Sequence, residues 1–183
     1  MLSKHKQKLA GKLDPAGKKL AKTGITPNVL TLTGLVVGAL SALFFLRRME
    51  LLGGLALLVA GGLDVLDGAV ARAMKKETAF GGLLDSTVDR YVDLGVLFSI
   101  GAAGLAEAGF LSGWTWVFLA MLGSFMVSYV RARAELAGSG KLNVGFAERA
   151  ERLLILGISA LLGWVRYGVV LVAVLTNLTA LYR

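Results

Sequence analysis

Residues 64–89 read DVLDGAVARAMKKETAFGGLLDSTVD, and this stretch sets the architecture of the chain around it. Asp64 and Asp67 are three positions apart, and Asp85 and Asp89 are four apart, so each pair lies on one face of a helix. A short polar turn separates the two pairs. The stretch therefore predicts two consecutive helices, each carrying two carboxylates on one face.

The sequence on both sides of this stretch is strongly apolar, at residues 51–60 before it and 94–98 after it. Such flanks predict helices that lie in a membrane, where a charged side chain is costly and by default marks a functional site. The four carboxylates would repel one another strongly without a cation. Their all-oxygen donor set suits Mg²⁺ or Mn²⁺, so the sequence predicts one or two divalent ions that bridge the two helices.

The composition is that of an integral membrane protein. The 183 residues are 56% hydrophobic, have a mean hydropathy of +0.70, and include 24 glycines but only two prolines. A soluble domain of this length cannot bury so much apolar surface, and glycine lets membrane helices approach closely. The chain has no cysteine and one histidine, His5 in the polar N-terminal segment. Disulfides, thiolate metal sites and a cysteine nucleophile are excluded, and histidine catalysis is not expected.

Six hydrophobic spans follow a basic N-terminal segment and predict an all-α integral membrane protein with six transmembrane helices. The segment 1–22 is rich in lysine and has apolar residues near helical spacing, which predicts an amphipathic helix on the membrane surface; a basic, partly disordered tail is the alternative. Residues 23–183 form the predicted transmembrane domain. The spans cover about residues 28–46, 51–73, 82–106, 111–133, 147–165 and 167–182.

The net charge of +8 is distributed in a way that predicts membrane topology. With an even number of spans, both termini lie on one side, together with the turn between the aspartate pairs. That side collects all of the 20 lysines and arginines except Arg47, Arg48 and Arg166. The positive-inside rule then places the termini and the acidic site at the cytoplasmic face of the cell membrane. The basic residues are not interleaved with aromatic ones, so nucleic acid is not expected as a partner.

The spacing of the acidic stretch resembles the signature of the CDP-alcohol phosphotransferases. All eight fixed positions of Asp-x2-Asp-Gly-x2-Ala-Arg-x8-Gly-x3-Asp-x3-Asp match. The resemblance implies two bound divalent ions, Mg²⁺ or Mn²⁺, with the last aspartate, Asp89, also acting as general base. It further implies that Gly68 and Arg72 contact the nucleotide of a CDP-linked lipid. The implied metal ligands are Asp64, Asp67, Asp85 and Asp89. The resemblance implies that Asp64 and Asp67 also contact the CDP-lipid.

Two further segments are similar to nucleotide-binding parts of the same family. Thr26-Pro27-Asn28 opens the first span, and the resemblance implies that the backbone that follows lines the cytidine pocket; Pro and Asn also favour a helix start for purely local reasons. Thr78 matches a position in the x8 turn that contacts the nucleotide, and by itself it would be an ordinary turn residue. The implied CDP-lipid contacts in these segments are Pro27, Asn28, Val29, Leu30 and Thr78.

Arginines cluster at the end of the fourth span and the start of the fifth, in SYVRARAE at 128–135 and FAERAER at 146–152. Arginine at cytoplasmic helix ends is expected from topology alone, but its planar fork also binds phosphate well. Both segments are similar to elements of the phosphatidylinositol-phosphate synthase branch of the family and its archaeal ether-lipid counterpart. The resemblance implies that the acceptor is inositol phosphate, bound by Arg131, Arg133, Arg149 and Arg183.

Three acidic residues near the site fall outside the signature. Glu148 and Glu151 are interpreted as residues that cap the fifth helix or pair with arginines. Asp93 lies one helical turn beyond Asp89 and is interpreted as a partner that supports the site residues.

Together these features predict a homodimeric membrane enzyme that transfers a phosphatidyl or archaetidyl group from a CDP-linked lipid to inositol phosphate and releases CMP. Glycerol phosphate as acceptor, which would make a phosphatidylglycerophosphate synthase, is the main alternative; the arginines disfavour serine. An intramembrane prenyltransferase would need an aspartate where Ala71 stands, and a carboxylate-based transporter would not need Gly68 and Arg72. Both a diacyl and an ether lipid fit the sequence.

Overall fold

The computed structural model describes residues 15, 17–138, 145 and 147–183, and its fold is all-α. Residues 17–21 are helical, and six longer helices follow. In chain order they are α1 (Pro27–Leu46), α2 (Glu50–Met74), α3 (Ala79–Ala102), α4 (Gly113–Leu136), α5 (Arg149–Leu161) and α6 (Val165–Tyr182).

The surface helix predicted over residues 1–22 lies mostly outside the described residues. Its described part contacts α2, because Gly17 is buried and a β-carbon placed on it would lie 2.8 Å from the backbone of Ala69. The end of this segment therefore sits beside the acidic stretch.

The six helices match the predicted spans in order, but α3 is displaced. It begins at Ala79, where Thr78 caps it by accepting a hydrogen bond from the Gly81 amide at 3.0 Å. It ends at Ala102, four residues before the predicted end at residue 106. The reason is the turn that follows, in which Gly104 adopts a φ of +69°, a left-handed conformation that closes a helix.

Helix α5 is shorter than predicted, with 13 residues from Arg149 to Leu161. It ends early because Gly163 adopts a φ of +70°, after which Trp164 leads directly into α6. At 1.5 Å per residue, a helix of this length extends about 20 Å, which is less than the roughly 30 Å of a bilayer hydrocarbon core.

Four of the helices, α1, α2, α4 and α6, are long and apolar enough to cross a membrane, and the chain is a membrane protein. Charged residues interrupt α3, and α5 is too short to meet the same standard. Most of the outward side chains of α1 are apolar, with Val29 53% and Val36 60% exposed. Such a face suits contact with lipid tails.

The core lies where the helices meet. α1 packs against α2 and α3, α2 also packs against α5, and α4 packs against α3 and α6. Buried side chains from all six helices fill this core, among them Phe45, Leu57, Ile100, Val117, Ala160 and Val169.

Small residues bring α2 and α5 close together. A β-carbon on Gly54 would lie 2.8 Å from the Gly157 carbonyl oxygen, and one on Gly61 would lie 3.1 Å from the Leu153 side chain. Because glycine lets helix backbones approach closely, this antiparallel contact brings the start of α5 to the acidic half of α2.

Candidate active site

Three of the four signature aspartates come together between α2 and α3. One carboxylate oxygen from each of Asp64, Asp67 and Asp85 lies within 4.8 Å of the other two. Among the described residues, Asp85 Oδ1 is buried and has no hydrogen-bond partner, as a ligand atom would be. A set of three convergent carboxylates suits a hard divalent cation, so these residues fit the predicted metal site.

Thr31 in α1 orients one of these carboxylates, and no motif marked it in the sequence. Its hydroxyl donates to Asp67 Oδ2 at 2.6 Å, and the Pro27 carbonyl lies 3.1 Å from the same hydroxyl oxygen. Both Thr31 and Asp67 are buried. The available signal was a hydroxyl group inside an apolar span, one turn after the start of α1.

Asp89 lies one turn beyond Asp85 and is paired with arginines. Its Oδ1 lies 2.8 Å from Arg149 Nη1, and its Oδ2 lies 3.7 Å from Arg90 Nη1. The residue is 8% exposed. Asp89 is therefore next to the three-carboxylate group but has cationic partners of its own.

Arg149, the first residue of α5, reaches into the acidic site. Its Nη1 lies 2.7 Å from Asp64 and 2.8 Å from Asp89, and its Nε lies 3.4 Å from Asp93. One guanidinium therefore contacts carboxylates from both α2 and α3.

Asp93 and Arg152 form a buried ion pair beside Arg149. Asp93 Oδ2 accepts a hydrogen bond from Arg152 Nη2 at 2.7 Å, and Arg152 Nη1 donates to the Ala147 carbonyl at 3.2 Å. Asp93 is 8% exposed and Arg152 2% exposed. The position of Asp93 agrees with its interpretation as a supporting partner. The sequence placed Arg152 among the clustered arginines but predicted no contact for it.

The start of α5 is fixed by two glutamates and by the end of the chain. The predicted capping role is confirmed, because Glu148 and Glu151 form a capping box in which the Glu148 amide donates to Glu151 at 2.8 Å. Arg183 Nη1 donates to the Val127 carbonyl at 3.1 Å, and Arg183 Nη2 lies 3.7 Å from Glu148. Burial lowers the pKa of Arg183; Glu148 opposes this effect, and the nearby charge of Arg131 adds to it.

The four arginines predicted to bind the acceptor have different surroundings. Arg149 lies in the acidic site, and Arg183 joins α6 to α4 and α5. Arg131 pairs with Glu135 at 3.1 Å near the end of α4. Arg133 is exposed and makes no ion pair with any described residue.

Arg90 is a further charged residue of the site that the signature did not identify. Its Nη2 donates to Ser128 Oγ at 2.5 Å, and its Nη1 donates to the Ser86 carbonyl at 2.7 Å. It therefore connects α3, next to Asp89, to the arginine-rich end of α4.

The residues predicted to contact the nucleotide lie at the start of α1 and around the turn from α2 to α3. A β-carbon on Gly81 would lie 3.1 Å from the Thr78 hydroxyl and 3.7 Å from Asn28 Oδ1, so this signature glycine sits between the two side chains. A β-carbon on Gly68 would lie 3.4 Å from Arg72 Nη1. The remaining predicted contacts, Pro27, Val29 and Leu30, form the first turn of α1.

This arrangement of helices and carboxylates agrees with a match to a known family. Residues 24–180 match the model of the CDP-alcohol phosphatidyltransferases. The chain belongs to this family, which confirms the resemblance drawn from its signature, and it is an enzyme of the phosphatidyltransferase type.

Relatives with named activities extend over most of the chain. Archaetidylinositol phosphate synthase of Pyrococcus horikoshii is 47% identical over 183 residues, covering 100% of this chain and 94% of the relative. The protein of the same name from Methanothermobacter thermautotrophicus is 39% identical over 164 residues, covering 90% of this chain and 79% of the relative.

The fold also agrees with that of a solved protein, the phosphatidylinositol phosphate synthase of Mycobacterium tuberculosis. Its structure with CDP-DAG bound has a TM-score of 0.76 and 29% identity, covering 93% of this chain and 90% of the other. Its structure in complex with manganese and citrate has a TM-score of 0.77, also at 29% identity, covering 92% of this chain and 85% of the other.

Proposed function

We propose that this enzyme transfers a phosphatidyl or archaetidyl group from a CDP-linked lipid to inositol phosphate and releases CMP. The observation that carries the proposal is that three carboxylates converge between α2 and α3, and one of them, Asp64, lies 2.7 Å from Arg149 of α5. The carboxylates suit a metal-bound diphosphate, and the arginine suits a phosphorylated acceptor. The identity to two archaetidylinositol phosphate synthases supports this acceptor.

In the proposed site, Asp64, Asp67 and Asp85 would hold divalent cations, with Asp89 contributing from the next turn. Two ions, Mg²⁺ or Mn²⁺, are proposed, and manganese in the related mycobacterial structure supports a divalent cation. When bound, such ions neutralise the diphosphate and stabilise the attacking and leaving oxygens. The hydrogen bond from Thr31 keeps the Asp67 carboxylate in one orientation.

The CDP-lipid is proposed to bind where α1, α2 and α3 begin or end. Asn28 and Thr78 flank Gly81 there, and Gly68 leaves room next to Arg72. The apolar outward face of α1 offers the lipid tails a path that stays in the bilayer. CDP-DAG in the related mycobacterial structure supports a lipid of this class. The proposed contacts are Pro27, Asn28, Val29, Leu30, Asp64, Asp67, Gly68, Arg72 and Thr78.

The reaction exchanges a phosphoanhydride bond of the CDP-linked lipid for a phosphoester bond to the acceptor. A hydroxyl oxygen of the acceptor attacks the phosphorus on the lipid side of the diphosphate, and the new P–O bond forms as the bond to the CMP oxygen breaks. Asp89 is proposed to take the hydroxyl proton, while CMP leaves with the bonding electron pair. Because both substrates are held at one site, much of the entropic barrier is removed on binding.

Arg149 is proposed to bind the acceptor phosphate together with Arg131, Arg133 and Arg183. Arg149 supports this role by its position beside Asp89, the proposed base. Arg183 and Arg131 lie near the start of α5, at the same end of the helices. A set of arginines at this end would attract a dianionic acceptor and orient it through paired hydrogen bonds.

The proposal includes the arrangement of the chain in the cell membrane. All six helices are proposed to cross the bilayer, with both termini and the active site at the cytoplasmic face and residues 1–22 as an amphipathic surface segment preceding the 23–183 domain. The distribution of lysine and arginine supports this orientation. A homodimer is also proposed, and family membership is its support.

The proposed function is tested by CMP release from purified enzyme. CDP-diacylglycerol and its CDP-linked ether counterpart would each be mixed with Mg²⁺ or Mn²⁺ and with inositol phosphate, glycerol phosphate, serine or free inositol. We expect release with inositol phosphate, none with serine, and none in a metal chelator. Preference for glycerol phosphate would contradict the acceptor, and absence of release with every pair would contradict the reaction.

A further inference from the structure

We propose that Asp93 is a positioning residue for acceptor binding, because it holds the Arg149 guanidinium in the orientation that receives the acceptor phosphate. The inference rests on the acceptor role of Arg149 in the proposed function. Asp93 lies outside the family signature and outside the three-carboxylate group. Its role is therefore different from that of the signature aspartates.

Both oxygens of Asp93 are used by arginines from one turn of α5. Oδ1 lies 3.4 Å from Arg149 Nε, and Oδ2 lies 2.7 Å from Arg152 Nη2. Positions 149 and 152 are three apart in α5, so their side chains project from the same face. One carboxylate on α3 therefore fixes two neighbouring guanidinium groups on α5.

Arg152 anchors this carboxylate. It is 2% exposed, and its Nη1 donates to the Ala147 carbonyl at 3.2 Å, just before α5 begins. A buried charge is costly unless it is paired and hydrogen-bonded, so this ion pair strongly favours one arrangement of Asp93. The rotation of the Asp93 carboxylate is thereby restricted.

Because its rotation is restricted, the Asp93 carboxylate in turn restricts the orientation of the Arg149 side chain. Its guanidinium is planar, so a contact at Nε and another at Nη1 define the plane of the whole group. Nε contacts the Asp93 carboxylate, and Nη1 contacts the carboxylates of both Asp64 and Asp89. We assign the third nitrogen, Nη2, to the acceptor phosphate. Without Asp93, the contact at Nε is lost, and the contacts at Nη1 alone no longer fix the plane of the guanidinium.

The test is Asp93→Asn in the full-length enzyme, with the KM for inositol phosphate and the KM for CDP-lipid measured separately. Losing a residue that orients a binding side chain typically costs about 10- to 100-fold, and we expect that rise in the KM for inositol phosphate. The KM for CDP-lipid should change less than about twofold, because the nucleotide contacts lie elsewhere. Glu107→Gln is the matched acid-to-amide control, since Glu107 accepts from the Gly113 amide at the start of α4, away from the acidic site.

A double-mutant cycle decides whether Asp93 acts through Arg149. In an Arg149→Ala background, Asp93→Asn should change the KM for inositol phosphate no further, because the group it positions is gone. The inference would be overturned if Asp93→Asn raised the KM for inositol phosphate by the same factor with and without Arg149. It would also be overturned if Asp93→Asn raised the KM for inositol phosphate and the KM for CDP-lipid equally. An unchanged KM in Arg149→Ala alone would overturn both the inference and the acceptor role of Arg149. Normal values for Asp93→Asn alone would overturn only the inference.

If Asp93→Asn fails to fold, Asp93→Glu carries the same test. It keeps the charge that Arg152 needs but moves the carboxylate by one methylene, so it misaligns Arg149 without leaving a buried arginine unpaired. We expect the KM for inositol phosphate to rise while the KM for CDP-lipid and the unfolding temperature in detergent stay near those of the wild type. Equal changes in both KM values, or none, would overturn the inference.

Discussion

At the scale of single residues, the acidic site depends on the groups that orient and neutralise its carboxylates. Thr31 donates to Asp67, and Arg149 contacts both Asp64 and Asp89. Carboxylates removed from water are costly unless they are hydrogen-bonded, paired or bound to metal. We therefore expect Thr31 to affect the metal concentration that activity requires, and Arg149 to affect the KM for the acceptor.

Replacing Thr31 by valine removes the hydroxyl while nearly keeping the shape of the side chain. We expect Thr31→Val to raise the metal concentration needed for half-maximal activity by about 10- to 100-fold, because Asp67 loses the group that orients it. Thr33→Val is the matched control, since the Thr33 hydroxyl is exposed and donates to the Val29 carbonyl at 2.8 Å. The measurement is a metal titration of CMP release. Equal shifts in the two variants would contradict the role of Thr31.

Asp89→Asn tests the general base. General base catalysis contributes about 10²- to 10⁴-fold, so kcat should fall by that factor while CDP-lipid still binds. Asp85→Asn provides the contrast, because it removes a member of the three-carboxylate group and should raise the metal requirement instead. The two variants are compared by turnover, metal titration and CDP-lipid binding. Loss of CDP-lipid binding in Asp89→Asn would identify Asp89 as mainly a metal ligand.

Alanine substitutions at Arg149 and at Arg72 should each weaken the binding of a different substrate. Removing one charge-assisted contact to a phosphate costs about 1.5–3 kcal/mol, or about 10- to 150-fold in apparent affinity. Arg149→Ala should raise the KM for inositol phosphate, and Arg72→Ala should raise the KM for CDP-lipid. Arg166→Ala, whose guanidinium lies 4.8 Å from the Tyr167 ring, is the control. If each site variant raises both KM values equally, the assignment of the two arginines to separate substrates is wrong.

At the scale of helices, close contact between α4 and α6 supports the arginine-rich end of α4. A β-carbon on Gly123 would collide with the Thr176 hydroxyl and lie 2.7 Å from Asn177 Nδ2. The Asn177 amide donates to the Leu119 carbonyl at 2.9 Å, which crosses from one helix to the other. Gly123 is therefore required for the distance between these helices.

Gly123→Ala should destabilise the protein, since overpacking a close helix contact costs about 1–3 kcal/mol. Gly62→Ala is the matched control. Gly62 is exposed in α2, and nothing lies within 4 Å of its β-carbon position. The same change there should be neutral or slightly stabilising, because alanine is the better helix former. The measurement is the thermal unfolding of both variants in detergent. Equal unfolding temperatures would contradict a close contact at Gly123.

At the scale of the whole molecule, charge distribution and helix number together determine the orientation in the membrane. Lysine and arginine are scarce at the loops after α1, α3 and α5, where only Arg47, Arg48 and Arg166, in the first turn of α6, are found. They are abundant around the loops after α2 and α4. If α3 and α5 cross the membrane, both abundant regions face the cytoplasm.

Single cysteines introduced into this cysteine-free chain can test the orientation. Lys76→Cys and Phe110→Cys flank α3, and Ala137→Cys and Leu162→Cys flank α5. A membrane-impermeant maleimide should label positions 76 and 137 only from the cytoplasmic side, and positions 110 and 162 only from the opposite side. The unsubstituted chain is the control and should remain unlabelled. Labelling of both flanks of one helix from the same side would contradict its crossing.

The sequence by itself determined the helical membrane class, the order of the helices and the family. It also predicted that Asp64 and Asp67 share a face of one helix and that Asp85 and Asp89 share a face of the next. These features are local, because hydropathy depends on neighbouring residues and helical spacing relates positions three or four apart. Capping at the start of α5 was predictable for the same reason.

The tertiary structure decided which distant side chains serve the acidic site. Thr31 and Asp67 are 36 positions apart, and Asp93 and Arg152 are 59 apart, so no local spacing connects them. The structure also placed Arg149, but not Arg133, in contact with the carboxylates, although both belong to arginine-rich segments. The physical reason is helix packing: glycines in α2 and α5 let the two backbones approach, and that approach selects which arginine reaches the acidic site.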